Sequence, residues 1–470
     1  MAIESINPAT EEILATLDEL SPAQVDEVIN AAHKAWESWS RTPVTERERL
    51  MQGVAGYLRE NKPRFSRLIT LEMGKPIVEA EAEIEKCALT CDFYADNAER
   101  FLSTESIKTN AAESYVAFEP LGVVLGIMPW NFPFWQVFRF AVPALMAGNT
   151  ALLKHASNVP QCSLAIEEAF TRGGLPEGVF RSLLVKGGAV ERIIEDPRVK
   201  AVSLTGSSAT GSHVAGIAGR ALKKTVLELG GSDPFIVLAD ADLPAAAAMS
   251  ARSRFQNAGQ SCIAAKRFIV VQEAADEFER LFGQEVSRLK VGNPLERDTQ
   301  VGPMARSDLR DALDAQVRSS IHQGAKALVG GERTGGRGYF YAPTVLTDLS
   351  SQMPVLAEET FGPVAAVVRV KDADEAIKIA NDTPFGLGAN MWTRDIDAAR
   401  ELARRIEAGS VFINGMVASD PRLPFGGVKQ SGYGRELSEF GIREFVNIQT
   451  VWIGPAPGAP SPVAPVAPAE

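Results

Sequence analysis

The feature that most limits what this chain can fold into is a regular exchange of apolar strand patterns for helical ones across residues 150–204. Residues 150–154 read as a strand, 165–172 as a helix, 182–185 as a strand, 190–195 as a helix and 201–204 as a strand. Such alternation builds parallel β-α-β units with helices on both faces of the sheet. The expected fold class is therefore α/β, and sheets of this kind bind nucleotides where the strand order reverses. A second α/β series starts after Gly230-Gly231-Ser232-Asp233-Pro234, a cluster of turn formers between two apolar segments, and a domain boundary is expected there. At 470 residues the chain is too long for a single core.

Upstream of the alternation the pattern is different. Residues 115–127 read as strand, turn and strand, with Pro120 and Gly122 at the turn. The opening hundred residues read as mostly helical: Ser21-Pro22 caps a helix over 23–39, and further helices are expected at 45–61, 63–73 and 77–101, with no evident chemistry. The tail 455–470, built from Pro, Ala, Gly and Val, has no pattern of a packed element and is expected to be disordered. The apolar region 121–153 is cut by Pro129, Asn131, Pro133, Arg139 and Pro143, so no run reaches the roughly 18–20 apolar residues of a membrane span. A formal net charge of -11 argues against nucleic acid or an anionic membrane as the main partner. An anionic small substrate would need a local cation. Four cysteines and no secretory start suit a reducing, cytoplasmic location. Cys87 and Cys91 share a helical face without a second ligand pair, and His33, His155, His213 and His322 are scattered, so no metal site is expected.

Four stretches carry candidate chemistry. Cys262 follows Phe255-Gln256-Asn257-Ala258-Gly259-Gln260-Ser261, where a helix over 244–256 stops and a strand over 267–271 has yet to begin. A connection between rigid elements presents side chains for function, although a lone cysteine is more often a small buried hydrophobe. Gly206-Ser207-Ser208-Ala209-Thr210-Gly211 joins a strand to a helix expected from Ser212, a junction at which backbone N–H groups meet phosphate, or equally a plain turn. Glu228 ends an apolar strand before two glycines and reads either as a general base or as a buried ion-pair partner. Asn131, in Trp130-Asn131-Phe132-Pro133, offers an uncharged amide donor suited to an oxyanion, or an ordinary turn residue.

Taken together these stretches resemble the aldehyde dehydrogenase superfamily, and within it the bacterial succinate-semialdehyde dehydrogenases. Pro129-Trp130-Asn131-Phe132-Pro133, Lys154-His155-Ala156-Ser157, the loop 205–211, Glu228-Leu229-Gly230-Gly231, Asn257 to Cys262, Glu359-Thr360-Phe361-Gly362-Pro363 and Pro424-Phe425-Gly426-Gly427 occur in the family's order over nearly the whole chain. The resemblance implies a Rossmann-like cofactor domain in two parts (1–105 and 126–229), a catalytic domain (230–429) and a small β protrusion for oligomerisation (106–125 and 430–454). It implies a homodimer or homotetramer. It also implies oxidation of an aldehyde to an acid by a nicotinamide cofactor through a thioester on Cys262, with Asn131 holding the oxyanion and Glu228 activating water. Trp130, Lys154, Ser157, Gly206, Ser207, Gly211, Leu229, Glu359 and Phe361 would bind the cofactor, and Trp135, Arg139, Ser261 and Ser419 the substrate.

Ser157 stands where NAD-using relatives carry an acid for the ribose diol, and Lys154 is a nearby cation. NADP is therefore expected, in preference to NAD. Arg139 would pair with the distal carboxylate of succinate semialdehyde, or serve as a structural ion pair. Gln256 replaces a second arginine of some such enzymes, which keeps glutarate semialdehyde or a plain aliphatic aldehyde open as substrates. Rival readings are a coenzyme A-acylating or phosphorylating dehydrogenase, disfavoured by Glu228, and a non-catalytic nucleotide-binding protein on the same scaffold.

Overall fold

The computed structural model describes residues 2–455, so the expected disorder of the tail concerns residues that, apart from Pro455, lie outside it. The chain is α/β and carries a six-stranded and a seven-stranded sheet. In the six-stranded sheet the spatial order is Gly432–Tyr433, Lys224–Glu228, Val199–Thr205, Val123–Met128, Thr150–His155, Phe180–Ser182. Every pair is parallel except the short antiparallel edge at Gly432–Tyr433. The chain leaves Val123–Met128 in one direction through Thr150–His155 and Phe180–Ser182, then returns to its other side at Val199–Thr205. That reversal is a switch point, and the crevice beyond the carboxyl ends of its two strands is bounded by Pro129-Trp130-Asn131 on one side and Gly206-Ser207 on the other.

Helix Pro22–Trp39 packs on one face of this sheet, fixed by a capping box in which Ser21 accepts from the Gln24 N–H and Gln24 from the Ser21 N–H. Helices Trp135–Met146 and Ile77–Leu102 pack together in the core on the other face. Every residue of Trp135–Met146 is buried. Pro143 lies inside it, and a proline within an apolar run reads as a break, which is why no helix is expected there from the sequence.

The seven-stranded sheet runs Lys326–Val329, Thr344–Thr347, Val364–Val370, Ala265–Val271, Asp233–Val237, Gly388–Trp392, Ser410–Ile413, parallel except at its first pair. Val446–Ile453, Glu113–Pro120 and Glu105–Ser106 form a separate antiparallel ribbon.

Three local expectations shift. The strand expected at 182–185 is Phe180–Ser182. The helix expected at 165–172 already begins at Pro160, a residue suited to a first turn. The helix expected from Ser212 begins at Ser208, because Ser207 caps it by accepting from the Thr210 N–H. Gly211 therefore lies in a helix and not in a phosphate loop. The strands read from 115–127 do form, as Glu113–Pro120 and Val123–Met128, but they enter different sheets and do not pair.

Candidate active site

Helix Leu243–Phe255 ends in a turn whose backbone is strongly constrained. Asn257, Ala258 and Gly259 have φ of 54°, 52° and 72°, three consecutive left-handed residues of which only the last is glycine. Such a run costs roughly 1–2 kcal/mol per non-glycine residue and persists only where surrounding contacts enforce it. Those contacts are present. The Asn257 N–H donates to Glu79 (2.8 Å), and its side-chain amide donates to the Asn131 carbonyl (2.7 Å). Gln260 accepts from the Ala305 N–H (2.9 Å), and buried Arg254 donates to the carbonyls of Gly259 and Thr360. Lys266, fully buried at the start of strand Ala265–Val271, donates to the carbonyls of Ser261 (3.1 Å) and Cys262 (2.7 Å). The turn is thus fixed at both ends, and half-buried Cys262 projects from it. Among the described residues the Cys262 N–H meets no backbone or side-chain acceptor.

Cys262 and Gln136 form the common wall of two cavities. The larger, of about 250 Å³, occupies the switch-point crevice and is lined by Trp130, Asn131, Gly206, Ser207, Leu229, Glu359 and Phe361 among others. Trp130 and Phe361 meet edge to face at 5.8 Å. Glu359 accepts from the Gly231 N–H (3.1 Å) and lies 3.6 Å from the Lys266 ammonium. Ser207 caps a 13-residue helix with no acid in its first turn, so free N–H groups and a positive dipole face the crevice. Lys154, near the end of strand Thr150–His155, makes no ion pair among the described residues, and Ser157 three residues on is exposed. Lys154 and Ser157 lie off the wall of this cavity, Ser157 lining a small separate pocket with His155 and Ala156. Gly211 is outside the cavity wall; a Cβ there would overlap Leu229, so its smallness serves the packing that puts Leu229 on the wall.

The smaller cavity, of about 110 Å³, lies on the opposite side of the thiol. Trp135, Ser261, Ser419, Phe132 and Phe425 line it, together with Lys86, Arg139 and Gln256. Arg139 is already engaged: it is ion-paired with Glu436, both side chains being 3% exposed, and its guanidinium lies over the Phe425 ring at 4.4 Å. The expectation that Arg139 reaches for a distal carboxylate thus meets a guanidinium held by a protein acid, because the fold brings residue 436 back against the helix that carries Arg139. Lys86 donates to Ser419 (2.7 Å) and lies 4.1 Å over the Trp135 ring.

Electrostatics follow from burial. Burial pushes the Cys262 thiol up to about 11, with the cations of Arg139 and Lys266 opposing the shift. Burial, reinforced by the Glu436 carboxylate, holds Glu228 well above the usual carboxylate range. Both carboxyl oxygens of Glu228 are without a hydrogen-bond partner, and its carboxyl packs at Gly426, off the wall of both cavities. Asn131 donates one amide hydrogen to the Gln260 carbonyl (3.0 Å) while lining the larger cavity beside Cys262.

Sequence reasoning missed Lys86, Gln136, Lys266 and Glu436. Lys266 had a local signal, being four residues from Cys262. Lys86 sits on a helix read as chemically silent, and Glu436 lies 297 residues beyond Arg139, so tertiary folding alone unites them with the site.

The aldehyde dehydrogenase family model matches residues 1–451. A probable NADP(+) succinate-semialdehyde dehydrogenase of Synechocystis is 50% identical over 453 residues, covering 96% of this chain and all of the relative. The NADP(+) succinate-semialdehyde dehydrogenase 1 of Mycobacterium tuberculosis is 51% identical over 456 residues, again covering 96% of this chain and all of the relative. Among solved structures, succinic semialdehyde dehydrogenase from Streptococcus pyogenes in complex with NADP+ superposes with a TM-score of 0.94 at 37% identity, covering 97% of this chain and 100% of that one. A thiol held on a constrained turn between a dinucleotide crevice and a small pocket, and similarity over essentially the whole chain, lead to one conclusion: the chain belongs to the aldehyde dehydrogenase family.

Proposed function

We propose that this chain oxidises succinate semialdehyde to succinate with NADP as oxidant. One observation carries the reading: Cys262 stands in the wall shared by a nucleotide-sized crevice and a cavity suited to a four-carbon aldehyde. The relatives named for this reaction, of comparable length throughout, support the choice of substrate and cofactor.

Cys262 attacks the aldehyde carbon. Its rest-state thiol must lose a proton first, and Arg139 and Lys266 are the cations that favour the thiolate. The oxyanion is held by the Asn131 amide and the unpartnered Cys262 N–H. Bound NADP supplies the hydride acceptor, and the chain retains an acyl thioester at Cys262. Lys154, Ser157, Ser207, Glu359, Trp130 and Phe361 hold and orient the cofactor against that sulfur. Glu228 then rotates off Gly426 toward the thioester and, once ionised, takes a proton from the attacking water.

Oligomerisation belongs to the same proposal. The ribbon strand Val446–Ile453 leaves Ile448, Trp452 and Ile453 exposed by 62%, 53% and 45%, a surface suited to a second copy of the chain. No helix among the described residues is long and apolar enough to cross a membrane, and we place the enzyme in the cytoplasm.

The functional test is the rate of NADP and NAD reduction with succinate semialdehyde, glutarate semialdehyde and butanal, on the parent and on Cys262→Ala. Highest kcat/KM for succinate semialdehyde with NADP, abolished by the substitution, is expected. Preference for NAD, or activity surviving in Cys262→Ala, would contradict the assignment.

A further inference from the structure

The cavity on the substrate side contains two cations of unequal standing. Arg139 is neutralised by Glu436 and further shares its surroundings with Glu228. Lys86 is half-buried and makes no ion pair among the described residues; its ammonium donates to the Ser419 hydroxyl and lies over the face of Trp135. The nearby acids are engaged elsewhere. Glu83, one turn earlier on the same helix, is ion-paired with Lys75 and accepts from the N–H groups of Phe134 and Trp135, and Asp420 pairs with Arg422 at 2.6 Å. A largely buried cation without an ion-pair partner is costly unless the ligand supplies the negative charge.

We infer that Lys86 binds the distal carboxylate of the substrate, with the hydroxyls of Ser419 and Ser261 completing the anion site and Cys262 across the cavity receiving the aldehyde. This rests on the proposed succinate-semialdehyde activity and assigns its specificity to one side chain. The placement is built and not incidental: Glu83 fixes the backbone of Trp135, and the Trp135 ring and the Ser419 hydroxyl both meet the lysine ammonium. Burial and the Arg139 cation lower the Lys86 pKa to about 8, against the pull of Glu83 and Asp420, so it remains mostly protonated at neutral pH. Arg139, on the same wall, holds Glu436 and sets the field at Cys262 and Glu228.

The experiment compares kcat/KM for succinate semialdehyde with that for butanal in the parent, Lys86→Met and Lys86→Arg, using NADP. The ratio of the two is expected to fall by about 100-fold in Lys86→Met, through the KM for the semialdehyde, and to recover in large part in Lys86→Arg. A ratio unmoved by Lys86→Met overturns the assignment while leaving the proposed reaction intact. A parent that prefers butanal overturns the proposed reaction, and this inference with it. A second measurement needs no variant. Acylation of Lys86 in the parent by an amine-directed reagent at pH 8, read by peptide mass spectrometry, should be slowed by succinate and not by butanal; equal labelling with and without succinate counts against the assignment.

Discussion

At the residue scale, the proposed chemistry rests on Cys262, Asn131 and Glu228, and burial sets the protonation states of the thiol and the carboxyl. Glu228→Gln removes the base but neither the thiol nor the oxyanion donors, so a pre-steady-state burst of NADPH should persist while steady turnover falls by about 100-fold or more. Loss of the burst would show that Glu228 acts before acylation. The raised pKa of Glu228 has a sign that can be checked. The neutral form dominates until the pH exceeds the ordinary carboxylate range, so deacylation-limited kcat should keep rising with pH beyond the point where an unperturbed glutamate would level off. A flat profile from mildly acidic pH upward would oppose this. Cys262, with its thiol pushed up to about 11 in the free enzyme, should be alkylated by iodoacetamide at a rate still climbing above pH 9; a plateau below pH 8 would mean a thiolate at rest.

The sequence marked Cys262, Asn131 and Glu228 by residue type and position, and the family order of the motifs raised each above its plain structural reading. It could not separate Arg139 as a ligand for substrate from Arg139 as a partner of Glu436, because the acid arrives from the far end of the chain.

At the element scale, the site depends on two connections. The left-handed turn Asn257-Ala258-Gly259 delivers Cys262, and Gly259 is held so close to Gly362 that a Cβ would overlap its carbonyl. Gly259→Ala should therefore cost about 1–3 kcal/mol in stability and lower activity further, as thermal melts and the alkylation rate of Cys262 would show. Unchanged melting and alkylation would mean that the turn relaxes freely. The other connection, Gly206-Ser207, supplies the helix N-terminus of the crevice.

Amphipathic helices such as Pro22–Trp39 were legible to within a residue because one face meets solvent and one meets the core. Trp135–Met146 was not, since Pro143 inside it reads as a break in the sequence. The early start of the helix at Ser208 was also hidden, because Gly211 reads as a loop residue until Leu229 is seen packed against it.

At the scale of the whole molecule, two parallel sheets and a separate ribbon divide the work. The six-stranded sheet opens a crevice at its switch point, and the seven-stranded sheet presents the thiol to it from strand Ala265–Val271 and the turn before. The α/β class followed from alternation alone, whereas the order of strands, which sets where the crevice lies, required the structure. If the ribbon joins copies of the chain, Trp452→Arg together with Ile448→Arg should shift the molar mass by light scattering toward a monomer; a monomeric parent would remove that role.

The proposed reaction turns on an acyl thioester formed on a single sulfur between the two cavities. Its most direct test is rapid-quench peptide mass spectrometry of Glu228→Gln mixed with succinate semialdehyde and NADP. A succinyl adduct on the peptide bearing Cys262, formed in proportion to the NADPH burst, is the predicted result; NADPH produced with Cys262 unmodified would contradict it.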